Sequence, residues 1–133
     1  MTCTNSDHSA ILELLARYAW LVDEGDGDGY ADLWTSDGKF TGIPTTMEGR
    51  DALRKMPPEF YAMAGGQLRH LFTNVVVDAG AAADEATAKC YSSVYDLRNG
   101  AKLWVFAKLT YTLVRLSGRW KIKALHADTM LGP

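Results

Sequence analysis

The sequence is poor in the residues from which metal, redox and covalent chemistry are assembled. Among 133 residues there are two cysteines and three histidines. Cys3 and Cys90 are far apart in the chain, which excludes a CxxC redox or metal motif and a disulfide framework. Cys90 falls in a strand-like run and reads as a small core residue. The scattered histidines lack the close ligand spacing of a zinc site. No GxSxG, HExxH or Walker sequence occurs. The run Gly25-Asp-Gly-Asp-Gly29 follows no strand, so it is not a dinucleotide fingerprint. Taken as a calcium loop from Asp26, it puts Tyr30 and Ala31 where an oxygen ligand and a glycine are needed. Neither a metal nor a cofactor is expected. Lys and Arg form no run, and the formal net charge of -2 offers no grip on a phosphate backbone, so nucleic acid is not an expected partner. The first residues lack a basic stretch followed by an apolar one, and no window reaches the ~18 apolar residues of a membrane span. The expected setting is the cytoplasm, with no membrane partner.

What is present is ordinary globular material, 47% hydrophobic and 23% charged. A chain of this length buries roughly two thirds of its unfolded surface unaided, and one domain over residues 1–133 is expected. Over residues 6–24, Ile11, Leu12, Leu15, Tyr18, Ala19 and Val22 recur at spacings of three and four, one face of a helix. Ser6 or Asp7 is a candidate cap, and Gly25 a left-handed stop. A short helix is predicted over 28–34, a turn at Asp37-Gly38, a strand over 39–43, and a third helix over 50–55. That helix breaks at Pro57-Pro58, and further helical residues run to Met63. From there the period changes to two. Segments 67–78, 85–97, 102–116 and 119–127 read as strands, the last three joined through Asn99-Gly100 and Ser117-Gly118 as hairpins. Helices followed by a meander of long strands point to an α+β fold, a curved antiparallel sheet wrapped around the N-terminal helix and enclosing a pocket.

The stretch Arg17-Tyr18-Ala-Trp-Leu-Val-Asp23-Glu-Gly-Asp26, then Leu33-Trp34 and Asp37-Gly38, then Arg69-His70-Leu-Phe-Thr-Asn74, and finally Gly118-Arg-Trp120-Lys-Ile, resembles the SnoaL-like branch of the nuclear transport factor 2-like superfamily. The similarity spans nearly the whole chain and implies a conical, cystatin-like α+β barrel with one deep pocket. The superfamily holds isomerases, polyketide cyclases, dehydratases, dehydrochlorinases and non-catalytic binding domains, so residues must decide the chemistry. The chain is most similar to the scytalone and bile-acid dehydratases and the dehydrochlorinase, which use an Asp on the first helix with a His on the first long strand. Asp23 and His70 match those positions. Tyr18, five residues before the Asp, and Asp96, on the second long strand, match further residues of the bile-acid dehydratases. The sequence departs from scytalone dehydratase, whose second catalytic His would fall near Tyr95 or Asp96, and from ketosteroid isomerase, whose base would fall at Gly42.

The residues also carry arguments of their own. Asp23 sits in the last turn of a helix, where its charge meets the negative end of the dipole at a cost of ~0.3–1 kcal/mol. A donor brought there by the fold reverses that penalty, and His70 is the candidate. Asp23 would hold the imidazole from behind while its other nitrogen abstracts a proton from carbon. The plain alternative is an Asp that solvates its loop and a half-buried strand His. Strand alternation puts Asn74 on the face of His70 and Phe72, and Asp96 on that of Cys90, Ser92 and Val94. Asp96 is either a protonated acid in a dry site or an exposed strand-end residue beside Arg98. Tyr18 is a donor to a developing oxyanion or a core aromatic. It lies about 140° round the helix from Asp23, so both line one pocket only if the sheet wraps widely. His126 follows Trp120, Ile122 and Ala124 on an apolar strand face, and Leu109 shares a face with Tyr111. With Tyr95, these residues and Asn74 are the candidate substrate contacts; Tyr95 and Tyr111 read first as packing residues, and His126 as a rim or core histidine.

The leading expectation is a cofactor-independent lyase, a dehydratase or related elimination enzyme, or a double-bond isomerase. Its substrate would be a small hydrophobic cyclic compound. His70 is the base, Asp23 its helper, and Tyr18 and Asp96 bind or protonate oxygen. The alternatives are a non-catalytic ligand-binding domain and a polyketide-type cyclase that does not need His70. Related proteins associate through the sheet face, so a homo-oligomer, dimer or trimer, is expected.

Overall fold

The first helix is bounded by signals that the sequence writes plainly at one end and less plainly at the other. In the computed structural model, which describes residues 3–42 and 45–133, α1 spans Asn5–Asp23. Its cap is Thr4 rather than Ser6 or Asp7. The Thr4 hydroxyl accepts from the Asp7 N–H, and the Asp7 carboxylate accepts from the Thr4 N–H, a reciprocal capping box. At the other end Gly25 takes φ 72°, its N–H donates to Val22 O, and the Asp26 N–H donates to Leu21 O. This Schellman arrangement stops the helix one residue beyond Val22, its last apolar residue. A side chain at residue 25 would also collide with Tyr61, whose Cβ lies 2.9 Å from where a Cβ would stand.

After α1 come α2 (Gly27–Ala31), β1 (Trp34–Thr41), β2 (Thr46–Glu48), α3 (Arg50–Leu53) and α4 (Met56–Met63). The strands β3 (Leu68–Ala79), β4 (Glu85–Asp96), β5 (Lys102–Leu116) and β6 (Arg119–Leu131) follow. One six-stranded sheet has the order β2-β1-β6-β5-β4-β3. The four long strands form the expected antiparallel meander, and β1 joins β6 in parallel. The sheet is curved and unclosed, leaving β2 and β3 as edges. Ser117 and Gly118 both take positive φ, the two-residue turn that matches strand twist.

Three local expectations need correction. Asp37-Gly38 does not turn: it lies inside β1, where the register against β6 slips between Trp34 and Lys39. Gly38 is required for packing, since a Cβ there would lie 2.6 Å from Trp34 Cε3. The strand predicted over 39–43 is the second half of β1, and its last residue, Ile43, lies outside the described residues. The fourth long strand runs to Leu131, beyond the predicted end at 127.

The core forms between α1 and the concave face of the sheet. Ile11, Leu15, Tyr18 and Val22 pack towards small inward residues of the strands, Ala86, Ala88, Cys90 and Ala107, and towards Leu109, Tyr111, Leu113 and Ile122. Small side chains on β4 leave room for rings. Tyr18 and Tyr30 approach edge-on with centroids 4.9 Å apart, and Tyr111 meets Tyr18 at 5.9 Å. Each large apolar side chain buried in this way contributes about 1.5–3 kcal/mol.

Candidate functional site

The end of α1 lies against the beginning of β3, and there Asp23 meets His70. The His70 N–H donates to both Asp23 carboxylate oxygens, at 3.1 and 3.0 Å, and His70 Nδ1 lies 2.7 Å from Asp23 Oδ1. The side chains are 11% and 10% exposed. An ionised carboxylate only accepts, so Nδ1 is the donor to Asp23, and in the neutral tautomer that this bond selects Nε2 carries the lone pair. Nε2 has no hydrogen-bond partner among the described residues. It is also not one of the sealed unpartnered atoms, which are Trp34 Nε1 and Tyr111 Oη, so it keeps a path to solvent. The rings of Phe60 and Phe72 flank the imidazole edge-on, at 5.7 and 6.5 Å.

This pair borders a cleft of about 560 Å³ between α1 and the open edge of β3. Leu12, Ala16, Ala19 and Trp20 form its helix wall; Arg69, His70, Leu71 and Phe72 form its strand wall. Trp20 is 70% exposed and Leu71 47%, so the cleft opens to solvent along apolar lips. The backbone adds a polar group. Since the His70 N–H points to Asp23 and away from β4, His70 and Val94 are a non-hydrogen-bonded pair of the ladder. The pair Phe72 and Ser92, two residues on in unbroken register, has the same parity. The Phe72 N–H therefore faces the cleft beside His70.

The other proposed site residues lie elsewhere, and each displacement has a physical reason. Asn74 is exposed because β3 bulges there: Asn74 takes φ 58° and the register slips between Thr73 and Val76. An inserted residue shifts the alternation by one, so Val75 and Val77, not Asn74, continue the inward face. His126 is exposed for the same reason. The register between β5 and β6 slips where Lys123 is inserted, so the inward face passes from Ile122 to Leu125 and His126 points outward. Tyr95 pairs with Arg69, on the face opposite to His70 and Val94.

Asp96 is not a protonated acid. It accepts from Arg98 Nε at 3.0 Å and NH2 at 2.7 Å, and from the Arg98 N–H at 3.0 Å. These bonds hold its carboxyl down to about 2, so it is ionised at neutral pH. Tyr18, Leu109 and Tyr111 are buried core residues that do not line the cleft. The Tyr18 hydroxyl accepts from Tyr30 at 3.0 Å, and burial pushes the hydroxyls of Tyr18, Tyr30 and Tyr111 well above the ordinary tyrosine value. Burial also raises the Cys90 thiol to about 12, so it is no nucleophile.

Sequence reasoning missed the helix wall and Arg69. Leu12, Ala16 and Trp20 stand four apart, a second apolar stripe beside the core-facing one, and that spacing was a readable signal. Among the described residues no helix is long and apolar enough to cross a membrane, and no cluster of three metal-ligating side chains occurs.

A family model for the SnoaL-like domain matches residues 4–126. The chain belongs to the SnoaL-like domain family. This places it in the nuclear transport factor 2-like superfamily. Among solved structures, it is similar to a protein of unknown function with a cystatin-like fold from Nostoc punctiforme. That match has 26% identity, covers 97% of this chain and 95% of the other, and has a TM-score of 0.83. An NTF2-like protein from Novosphingobium aromaticivorans is 25% identical over 96% of this chain and 84% of its own, TM-score 0.86. A candidate scytalone dehydratase from the same organism shares the fold, with 19% identity, 95% and 85% coverage and a TM-score of 0.82. No curated protein sequence matches the chain.

Proposed function

We propose that this SnoaL-like domain is a cofactor-independent lyase or double-bond isomerase that removes a proton from carbon on a small hydrophobic cyclic substrate, with His70 as the base. One observation carries the reading: Asp23 holds both the backbone N–H and the ring Nδ1 of His70, leaving Nε2 unpartnered beside an apolar cleft. A substrate ring lies against Leu12, Ala16 and Trp20 with its acidic C–H at Nε2. As Nε2 takes the proton, the Asp23 carboxylate stabilises the imidazolium without itself being protonated. The electron pair left on carbon moves onto an adjacent carbonyl oxygen, and the Phe72 N–H is the donor for that oxygen. The imidazolium then returns the proton to another carbon, which moves the double bond, or gives it to a departing hydroxyl, which leaves as water. In this scheme Tyr18 and Asp96 support structure, and their proposed oxygen-binding role passes to Phe72.

The test uses 2-tetralone, a small cyclic ketone, in deuterated buffer with proton NMR as the readout. The protein should accelerate exchange of the α-protons, and His70→Ala should lose about 10²–10⁴-fold of the acceleration while keeping its circular dichroism spectrum. Undiminished exchange in His70→Ala would sink the assignment. A second reading, a non-catalytic binding domain, is favoured by the packed interior, where Tyr18, Tyr30 and Tyr111 fill the space expected for a deep pocket. It requires that the wild-type protein leave the exchange rate unchanged. The cyclase alternative requires turnover that does not depend on His70. We also propose self-association through the outer sheet face, supported by the stacked and partly exposed pair Tyr91 and Phe106.

A further inference from the structure

Arg69 is the one Arg or Lys side chain in the cleft lining. Every Arg or Lys side chain in an ion pair among the described residues belongs to another position: Arg17, Arg54, Arg98 and Arg115. Arg69 has no carboxylate within ion-pair distance among those residues. Its guanidinium is nevertheless fixed. NH1 donates to Gly66 O at 2.9 Å and to Leu68 O at 2.8 Å. Leu68 shares the ladder parity of His70, so its carbonyl lies on the open edge of β3. The two carbonyls thus hold the guanidinium along the same edge that carries His70 and the Phe72 N–H.

With NH1 occupied, the Nε–H and NH2 side of the fork has no partner among the described residues. Two parallel N–H groups on a rigid plane match the two oxygens of a carboxylate. The rest of the lining sets the permitted charge. Asp23 is answered by two N–H groups of His70, whereas Glu24, exposed at the C-cap of α1 and in the same cleft lining, has no ion-pair partner among the described residues. A single carboxylate on Arg69 is tolerated beside it; a doubly charged phosphate monoester would meet stronger repulsion.

Building on the reading of this cleft as the substrate site, we infer that its ligand is a cyclic monocarboxylic acid, whose apolar ring lies on the α1 wall and whose carboxylate is held side-on by Arg69. Arg69 is then the residue that selects for charge, while His70 acts on carbon.

The experiment compares 2-naphthoate with 2-naphthamide, which share ring and shape and differ in charge, by calorimetric titration of the full chain at low ionic strength. Naphthoate should bind about tenfold more tightly than the amide, a preference of the size expected for a charge-assisted pair. Arg69→Gln should remove the preference while leaving amide binding within about twofold, Arg69→Lys should keep part of it, and added salt should shrink it. Equal binding of both probes by the wild-type protein overturns the inference, as does a preference that survives in Arg69→Gln. Failure of both probes to bind overturns it as well. Exchange of 2-tetralone, a neutral ligand, reads out the His70 base separately, so loss of the charge preference with exchange intact refutes only the carboxylate assignment.

Discussion

Helix α1 carries a carboxylate near each end, and the two are handled in opposite ways. Asp7, in the first turn, sits where the helix dipole favours negative charge. It accepts from the Thr4 backbone and hydroxyl, from Arg115 NH1 at 2.7 Å, and from Trp120 Nε1 at 3.3 Å. Arg115 in turn binds Asp84 and lies 5.1 Å from the Trp120 ring centroid. Every group in this knot is occupied by protein, and its effect is to fasten the start of the helix to the far end of β5 and β6. Asp23 sits where the dipole is unfavourable, and its partner is a single histidine with one nitrogen unused. The carboxylate at Asp7 is saturated by protein groups, whereas the partner of Asp23 keeps a ring nitrogen without a hydrogen bond among the described residues, beside an open cleft.

That contrast is sharpest in a double dissociation. The largest effect is expected for Asp23→Asn, which keeps an acceptor for the His70 backbone but loses the charge behind the ring. Exchange of 2-tetralone should fall by about 10²–10⁴-fold while the melting temperature changes little. A variant with full exchange would erase the functional half of the comparison. Next comes Arg115→Ala, which leaves Asp7 and Asp84 without their shared cation. Its melting temperature should drop by several degrees with exchange retained, and a loss of exchange at unchanged stability would mean that the two ends are not separate.

The pH dependence of stability follows from Asp7. The Thr4 hydrogen bonds, with Trp120 and Arg115, hold its carboxyl below the ordinary value of 3.8. A depressed folded value means that the unfolded chain binds the proton more tightly. The stabilisation is therefore complete above the unfolded value and lost as pH falls through the folded one. Melting temperature should be level from about pH 7 to 5 and decline below about 4. In Asp7→Asn the decline should be shallower, and an unchanged slope would remove Asp7 from the account. The smallest effects belong to the core hydroxyls. Tyr30→Phe deletes the donor to Tyr18 and should cost about 0.5–1.5 kcal/mol, whereas Tyr111→Phe removes an unpartnered hydroxyl and should be neutral or stabilising by up to about 1 kcal/mol. Chemical denaturation of both variants checks the order, and a larger loss in Tyr111→Phe reverses it.

Much of the fold was legible in the chain because its signals are local. The three-four spacing of Ile11, Leu15, Tyr18 and Val22, the stop at Gly25 and the turn at Ser117-Gly118 each act within a few residues, where backbone sterics and side-chain periodicity decide the outcome. The cap was misplaced by two or three residues because Thr4 and Asp7 satisfy each other as a pair. The site was less legible. Asn74 and His126 were assigned inward by uninterrupted alternation, and bulges at Asn74 and Lys123 reversed them. A bulge depends on how two strands fit, so it leaves only a weak mark in one strand's sequence.

Asp23 and His70, 47 residues apart, show where local determination ends. The chain alone dictated an acid at a helix end that disfavours it, and a histidine near the start of a strand. Only the packing of α1 against the open edge of β3 joined them, turned the Phe72 N–H into the cleft, and put Tyr18 in the core instead. Periodicity tells which side of an element is apolar, but which elements become neighbours, and which strand edge remains unpaired, is set by long-range burial that no single segment encodes.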